Sequence, residues 1–290
     1  MNELNRREFL KKLGIGASGL ALGSLAISLQ GCSNDKSTKN ENELKGSQYV
    51  AIRISSDLYK STLLQRFAFV IFEKETHLSK ETLSVNLKKP SGKLTQIKNI
   101  RPRVGGLKSQ GIYSFETIFD EAGNYEISTS YDKNPVTLTF NVSEVNLAPG
   151  LDTNCINTDS PTNADPKDAK ILCTRFDGEC GLHKNSISNL LSQNAPFLVL
   201  FATPARCQTK YCGPVLDILK SEVEKNPINC THIEIYKDET SPDVLDAVTE
   251  WGLPSEPWLF AVDKSGIIKK RLDGAFDLSE IKDSIDAIKI

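Results

Sequence analysis

The sequence lacks a surplus of charge of either sign. Its 35 basic and 37 acidic residues leave a formal net charge of −2, and a balance this close to neutral gives no electrostatic footprint for nucleic acid. Compositional bias is missing too, since 39% of the residues are hydrophobic and 25% are charged. Collagen-like, coiled-coil and wholly disordered proteins are therefore excluded. The length of 290 residues suggests two domains.

Long apolar runs are absent except near the start of the chain. Residues 13–30 carry no charge, but glycine and serine dilute their hydrophobicity. A basic head followed by a modest apolar run is typical of an export signal rather than a permanent membrane span. The pair Arg6 and Arg7, followed by Phe-Leu-Lys at residues 9–11, resembles the twin-arginine signal.

The apolar run ends in Leu-Gln-Gly-Cys at residues 29–32, which resembles a bacterial lipobox. The resemblance implies that residues 1–31 are removed and that Cys32 is diacylated and becomes the first mature residue. We therefore expect a protein of the bacterial cell envelope, lipid-anchored to a membrane on its extracytoplasmic side, where disulfides persist. The alternative is a plain membrane anchor in which Cys32 is incidental.

The next part of the chain predicts a tether and then an all-β domain. Residues 32–47 are polar and predict a flexible tether. Residues 48–145 contain short alternating apolar runs separated by Gly, Pro and Asn turns, which is typical of a β-sandwich. The segment around Tyr125 resembles a strand-entry corner of immunoglobulin-like domains, in which the tyrosine hydroxyl bonds nearby backbone. We expect this domain to be a spacer or a docking module.

The pattern changes again after a predicted linker at residues 146–172 that carries Pro and Gly turn signals. Residues 196–202 form a continuous apolar run that predicts a strand buried on both faces. Helical spacing at residues 183–193, 215–223, 243–251 and 278–288 alternates with further strands. The predicted order over residues 173–290 is β-α-β-α-β-β-α.

This second domain resembles the thioredoxin-like family. The resemblance is carried by the buried strand, by Cys207 and Cys212 ahead of the next helix, and by the sequence Leu-Pro-Ser-Glu-Pro-Trp-Leu-Phe at residues 253–260. It implies that Pro257 is a cis-proline and that Pro257 and Trp258 shape a substrate groove. The predicted fold class is thus multidomain, an all-β immunoglobulin-like sandwich followed by an α/β thioredoxin-like domain.

The implied activity is thiol–disulfide exchange on envelope proteins with an unidentified redox partner and without a cofactor. Cys207 would attack as a thiolate and Cys212 would resolve the mixed disulfide. The spacing is C-x4-C rather than the family's C-x-x-C, and the sequence Tyr-Cys-Gly-Pro at residues 211–214 leaves Cys212 open as the attacker. Other open alternatives are a peroxiredoxin-like thiol peroxidase, to which Thr203 and Pro204 bear some similarity, and a non-catalytic binding protein with a static disulfide.

The number of cysteines, seven, is odd, so one of them needs a role outside disulfide pairing. Lipid on Cys32 leaves six. Cys173 and Cys180 enclose a short predicted turn, and we expect a local structural disulfide there. Cys155 and Cys230 would then join the linker to the domain. A rival interpretation is a metal site that uses Cys180, His183 and either Cys173 or Cys207, although our prediction is that no metal is bound.

Overall fold

The computed structural model describes residues 49–108, 110–207 and 209–289. The predicted signal with Arg6 and Arg7, the lipidated Cys32 and most of the tether lie outside the described residues. Among the helices of the described ranges, none has both the length and the apolar character that a membrane crossing requires.

The strands and helices of the described ranges are the following. The strands are β1 (Tyr49–Arg53), β2 (Leu64–Glu73), β3 (Thr76–Leu78), β4 (Leu83–Lys88), β5 (Leu94–Ile100), β6 (Pro102–Arg103), β7 (Ile112–Ile118), β8 (Gly123–Tyr131), β9 (Asn134–Val142), β10 (Phe197–Phe201), β11 (Asn229–Ile233), β12 (Trp258–Val262) and β13 (Ile268–Asp273). The helices are α1 (Ile187–Ser192), α2 (Cys212–Lys225), α3 (Asp246–Glu250) and α4 (Leu278–Asp286).

The N-terminal part consists of two antiparallel sheets around one aromatic core. One sheet has the order β1-β2-β7-β6 with β3 beside β2, and the other has the order β5-β4-β8-β9. The alternation of buried and exposed residues along a strand allows the two sheets to pack face to face. Along β4 every second residue is buried, so one face of that strand is apolar. Phe67, Phe119 and Tyr125 lie in the core. The Tyr125 hydroxyl donates to the Glu121 carbonyl at 3.0 Å, which is the backbone tie expected at this corner.

The C-terminal part is built on a sheet with the order β11-β10-β12-β13. All five residues of β10 are buried, which fits an apolar run at the centre of a sheet. β10 pairs with β11 in parallel and with β12 antiparallel, and β12 pairs antiparallel with β13. The C-terminal end of β10 therefore leads into the loop that carries Cys207.

The predicted fold class is wrong for this second part. The structure is mostly β-sheet, with 36% of residues in strands and 14% in helices, and not an α/β thioredoxin-like domain. Helices α1 and α3 have only six and five residues, far fewer than the predicted helices at 183–193 and 243–251. Helices this short gain little from their own hydrogen bonds, and α3 lacks a side-chain cap at its N-terminus. Segments without regular secondary structure pack against the sheet where the longer helices were predicted.

The predicted linker at residues 146–172 supplies much of that irregular chain. It contains no strand or helix among the described residues, yet Ala148, Cys155 and Ala169 are buried in a core beside Phe197. Asn154 also forms an antiparallel bridge to Ile267. The segment is therefore a packed part of the C-terminal half rather than a solvated connection.

The two parts of the chain share a hydrophobic core. Ala68 and Ile112 of the sandwich belong to the same buried cluster as Ile218 of α2 and Phe276. Gly106 stands against Ile218 with a φ of +80°, and a Cβ at that position would collide with the isoleucine side chain. Only glycine satisfies both the backbone conformation and the close approach.

A buried ion pair crosses the same boundary. The Arg66 guanidinium donates to Glu280 Oε1 at 2.7 Å and to the Asp273 carbonyl at 2.9 Å. Arg66 and Glu280 are both buried, so each charge depends on the other for compensation. The sandwich is thus a fixed neighbour of the C-terminal sheet.

Candidate functional site

Cys207 and Cys212 lie close together at the start of α2. Cys212 is the first residue of the helix, and Cys207 lies in the preceding loop with its sulfur 3.3 Å from the Cys212 backbone nitrogen. The first N–H groups of a helix have no partner within the helix. One of them therefore donates to the Cys207 sulfur.

The surroundings of Cys207 favour its thiolate. A hydrogen bond from the Cys212 thiol is the largest influence, and it lowers the pKa of Cys207 to about 6. The Thr209 hydroxyl, 3.2 Å from the sulfur, and the Cys212 N–H act in the same direction, while burial opposes them. Cys207 retains 9% of its surface exposed, whereas Cys212 has none. Both residues are buried, and of the two only Cys207 keeps some exposed surface.

Cys212 lies against a carboxylate that the sequence analysis did not identify. Its sulfur is 3.6 Å from Glu256 Oε2, and the same oxygen accepts the Thr203 backbone N–H at 3.0 Å. Burial, reinforced by the hydrogen bond to Cys207, raises the pKa of Cys212 well above its ordinary value. Burial, and then the negative charge of Cys207, raise the pKa of Glu256 to about 8. Glu256 is therefore mostly protonated at neutral pH, and its ionised fraction, which grows as the pH approaches 8, can accept the proton of the Cys212 thiol.

The predicted groove residues have different surroundings. The peptide bond between Glu256 and Pro257 is cis, so Pro257 adjoins the carboxylate that meets Cys212. Trp258 has no exposed surface and stacks on Phe260 at 5.5 Å between ring centroids. Trp258 is therefore a core residue, and its prediction as a groove residue is wrong because β12 points its side chain into the interior.

Arg206, adjacent to Cys207, is directed away from the thiolate. Its guanidinium lies over the Tyr236 ring at 4.0 Å and donates to the backbone carbonyls of Asp238 and Ser241. These contacts fix the loop that precedes α2. They do not place the Arg206 charge on the Cys207 sulfur.

The structure does not bring Cys155 and Cys230 together. Cys155 donates its N–H to the Gly266 carbonyl, on the hairpin between β12 and β13 at one edge of the sheet. Cys230 lies in β11, the strand at the opposite edge. With strands about 4.8 Å apart, three strand spacings separate them. The thiols of the described ranges, these two included, are free.

Cys173 and Cys180 do lie together, and two histidines join them. The ligand atoms of Cys173, Cys180, His183 and His232 all lie within 4.8 Å of one another. The last three residues are buried and Cys173 is half-buried. Hydrogen bonds, first of all from Cys180, lower the pKa of the Cys173 thiol. These four residues form the Cys173–His232 cluster, whose donor set is one that holds metal ions.

Glu256 and His232 are thus the site residues that sequence reasoning missed. Glu256 is 44 positions from its partner Cys212, and its only signal was its place next to Pro257. His232 lies in β11 (Asn229–Ile233), and no local sequence pattern marked it as a partner of Cys180. Comparison with protein-family models and with curated proteins gives no match to this chain.

Proposed function

We propose that the protein is a thiol–disulfide oxidoreductase that exchanges disulfides of other proteins through Cys207 and Cys212. The observation that carries the proposal is the contrast between the two sulfurs. One is partly accessible and favours the thiolate, while the other is buried, protonated and in contact with a carboxylate. A static disulfide would need neither the contrast nor the carboxylate.

The reaction begins with the Cys207 thiolate, the nucleophilic form of a cysteine. It attacks one sulfur of a substrate disulfide, a bond forms between the two sulfurs, and the other substrate sulfur leaves as a thiolate that takes a proton from water. Exposure of Cys207 decides which cysteine reacts first. Its greater exposure supports Cys207 rather than Cys212 as the attacking cysteine.

The second step releases the substrate. Cys212 passes its proton to Glu256 Oε2, attacks the Cys207 sulfur and displaces the second substrate thiolate, which is then protonated. The substrate has gained two electrons and two protons, and Cys207 and Cys212 have become a disulfide. The reverse sequence oxidises a dithiol substrate. Substrates and the redox partner would be envelope proteins if the predicted signal and lipid anchor at Cys32 are correct.

Trapping the mixed disulfide tests the proposal. Full-length Cys212→Ser protein, reduced and then mixed with oxidised insulin, should accumulate a covalent adduct at Cys207, because its resolving thiol is missing. Cys207→Ser protein should form no adduct and should lose insulin reduction. Cys155→Ser is the matched control, because it also removes a buried thiol, and it should reduce insulin as the unaltered protein does.

Two results would refute the proposal. The first is equal insulin reduction by the unaltered protein and the Cys207→Ser variant. The second is an adduct that maps to Cys212 in the Cys207→Ser variant and to no residue in the Cys212→Ser variant, which would reverse the roles. Rapid consumption of hydrogen peroxide by the reduced protein, without insulin reduction, would favour the thiol peroxidase instead.

A further inference from the structure

We infer that Cys173, Cys180, His183 and His232 form a tetrahedral Zn²⁺ site in which two thiolates and two imidazoles are the ligands. The site uses neither Cys207 nor Cys212, and the inference does not depend on the proposed redox function. It replaces the expected structural disulfide between Cys173 and Cys180.

The distances within the Cys173–His232 cluster suit a zinc ion. Cys180 Sγ is 3.2 Å from His183 Nε2 and 3.4 Å from His232 Nδ1. Zn–S bonds of about 2.3 Å and Zn–N bonds of about 2.0–2.1 Å place sulfur and nitrogen ligands about 3.5–3.6 Å apart in a tetrahedron. A small outward movement of the side chains therefore accommodates the ion at the centre of the cluster.

The orientation of the two imidazole rings is the strongest argument. His183 Nδ1 is 2.8 Å from the His232 carbonyl oxygen, and His232 Nε2 is 2.9 Å from the Ala202 carbonyl oxygen. A carbonyl oxygen only accepts hydrogen bonds, so both of these ring nitrogens carry the proton. The other nitrogen of each ring faces Cys180, and it offers a free lone pair whenever the ring is neutral. Metal-binding histidines are commonly held by this type of bond.

Charge and burial favour a divalent ion over the empty cluster. Two thiolates and one Zn²⁺ sum to zero, which a buried site tolerates far better than an isolated charge. A disulfide between Cys173 and Cys180 would leave two buried imidazole lone pairs directed at sulfur atoms that donate nothing. The histidines are explained by a metal ion and not by a disulfide.

The cluster also adjoins the loop of the redox pair. The carbonyl that accepts the His232 proton belongs to Ala202, next to Thr203, whose N–H binds Glu256. On the other side, Thr174 follows the ligand Cys173, and its hydroxyl accepts the Ala205 N–H at 3.1 Å. Zinc bound at the cluster would therefore brace both ends of the segment that leads to Cys207.

Cobalt titration tests the site directly. The full-length chain in detergent, reduced with a phosphine and freed of metal by a chelator, should bind one equivalent of Co²⁺. The complex should show the intense visible bands of tetrahedral cobalt and the sulfur-to-metal charge-transfer absorption of thiolate ligands. Zn²⁺ should displace the cobalt and abolish these bands. Protein isolated from cells without chelator should contain one zinc per chain.

Variants distinguish ligand loss from misfolding. Cys173→Ser changes a ligand in irregular chain outside the sheet and should weaken Co²⁺ binding by more than about 100-fold, beyond what loss of a supporting hydrogen bond causes. His232→Asn should remove the tetrahedral spectrum. Cys230→Ser, a change two residues from His232 on the same strand, should bind cobalt normally. Normal circular dichroism is required of all three.

The inference is refuted if the folded, reduced protein fails to bind Co²⁺, or if Cys173→Ser binds it as tightly as the unaltered protein. It is refuted equally if protein isolated from cells lacks zinc and holds Cys173 and Cys180 in a disulfide. None of these results bears on insulin reduction through Cys207.

Discussion

Replacement of Glu256 by glutamine should change how stability depends on pH. Glutamine has the size of glutamate and keeps a carbonyl oxygen that can accept the Thr203 N–H and the Cys212 thiol. The substitution removes only the ability of the side chain to release a proton and become charged. Since burial raises the pKa of Glu256 from 4.5 to about 8 in the folded protein, the comparison isolates the effect of one buried carboxyl group.

The sign follows from proton binding. Between pH 4.5 and about 8 the unfolded chain has released the Glu256 proton while the folded protein retains it. Folding is therefore favoured most below pH 4.5, and the free energy of unfolding falls as the pH rises through the folded pKa. A difference of 3.5 pH units at 1.36 kcal/mol each is on the order of 5 kcal/mol. That is a large part of the stability of an ordinary domain.

Urea unfolding from pH 5 to pH 9 measures the effect. Trp251 and Trp258 are fully buried and supply a fluorescence signal, and a phosphine keeps the thiols reduced. The Glu256→Gln variant should gain stability relative to the unaltered protein as the pH rises, by a few kcal/mol at pH 9. The Cys207 thiol titrates in both proteins, so it largely cancels in the difference. The exposed Glu179→Gln serves as the control. Parallel stability curves for the unaltered protein and Glu256→Gln would refute the reasoning.

Three further predictions concern other contacts. Alkylation of Cys207 by iodoacetamide should be half-maximal near pH 6. Cys212→Ala should raise the midpoint, because it removes the thiol whose hydrogen bond is the main cause of the low pKa; an unchanged midpoint in mass-spectrometric assays would contradict this. Arg66→Met should destabilise the protein in urea unfolding by about 3 kcal/mol, the lower end of the range for breaking a buried ion pair, because the buried Glu280 loses its main partner and keeps only the more distant Arg103 at 3.6 Å; a negligible loss would contradict this. Tyr125→Phe should cost about 1 kcal/mol, the worth of one hydrogen bond, and an unchanged free energy of unfolding would show that the corner tie is immaterial.

The sequence predicted the parts of the structure that depend on local pattern. Alternating apolar residues identified the strands of the sandwich, and a five-residue buried strand was found where residues 196–202 form a continuous apolar run. Cys207 and Cys212, singled out by the resemblance in spite of their longer spacing, lie together, with the Cys212 backbone nitrogen 3.3 Å from the Cys207 sulfur. Periodicity overestimated the helices, since helical spacing also occurs in irregular segments that pack an apolar stripe against a sheet.

The rest depended on pairings between distant residues. Glu256 reaches Cys212, and His232 reaches Cys180 across 52 positions, only because the sheet brings their strands together. Single residues of these types carry no local signal of a partner. The predicted pairing of Cys155 with Cys230 is wrong for the same reason. It was made by counting the cysteines that were left, and such a count does not show that two of them lie at opposite edges of a sheet.

Gly106 has a consequence for how the redox pair could be tuned. It touches Ile218, which lies six residues along α2 from Cys212, or about 9 Å along the helix axis. An α-helix is stiff over that length, so a methyl group added at Gly106 would push on a rod whose other end holds the Cys212 sulfur. If the pair exchanges disulfides as proposed, its reactivity is therefore open to adjustment by substitutions in the loop between β6 and β7.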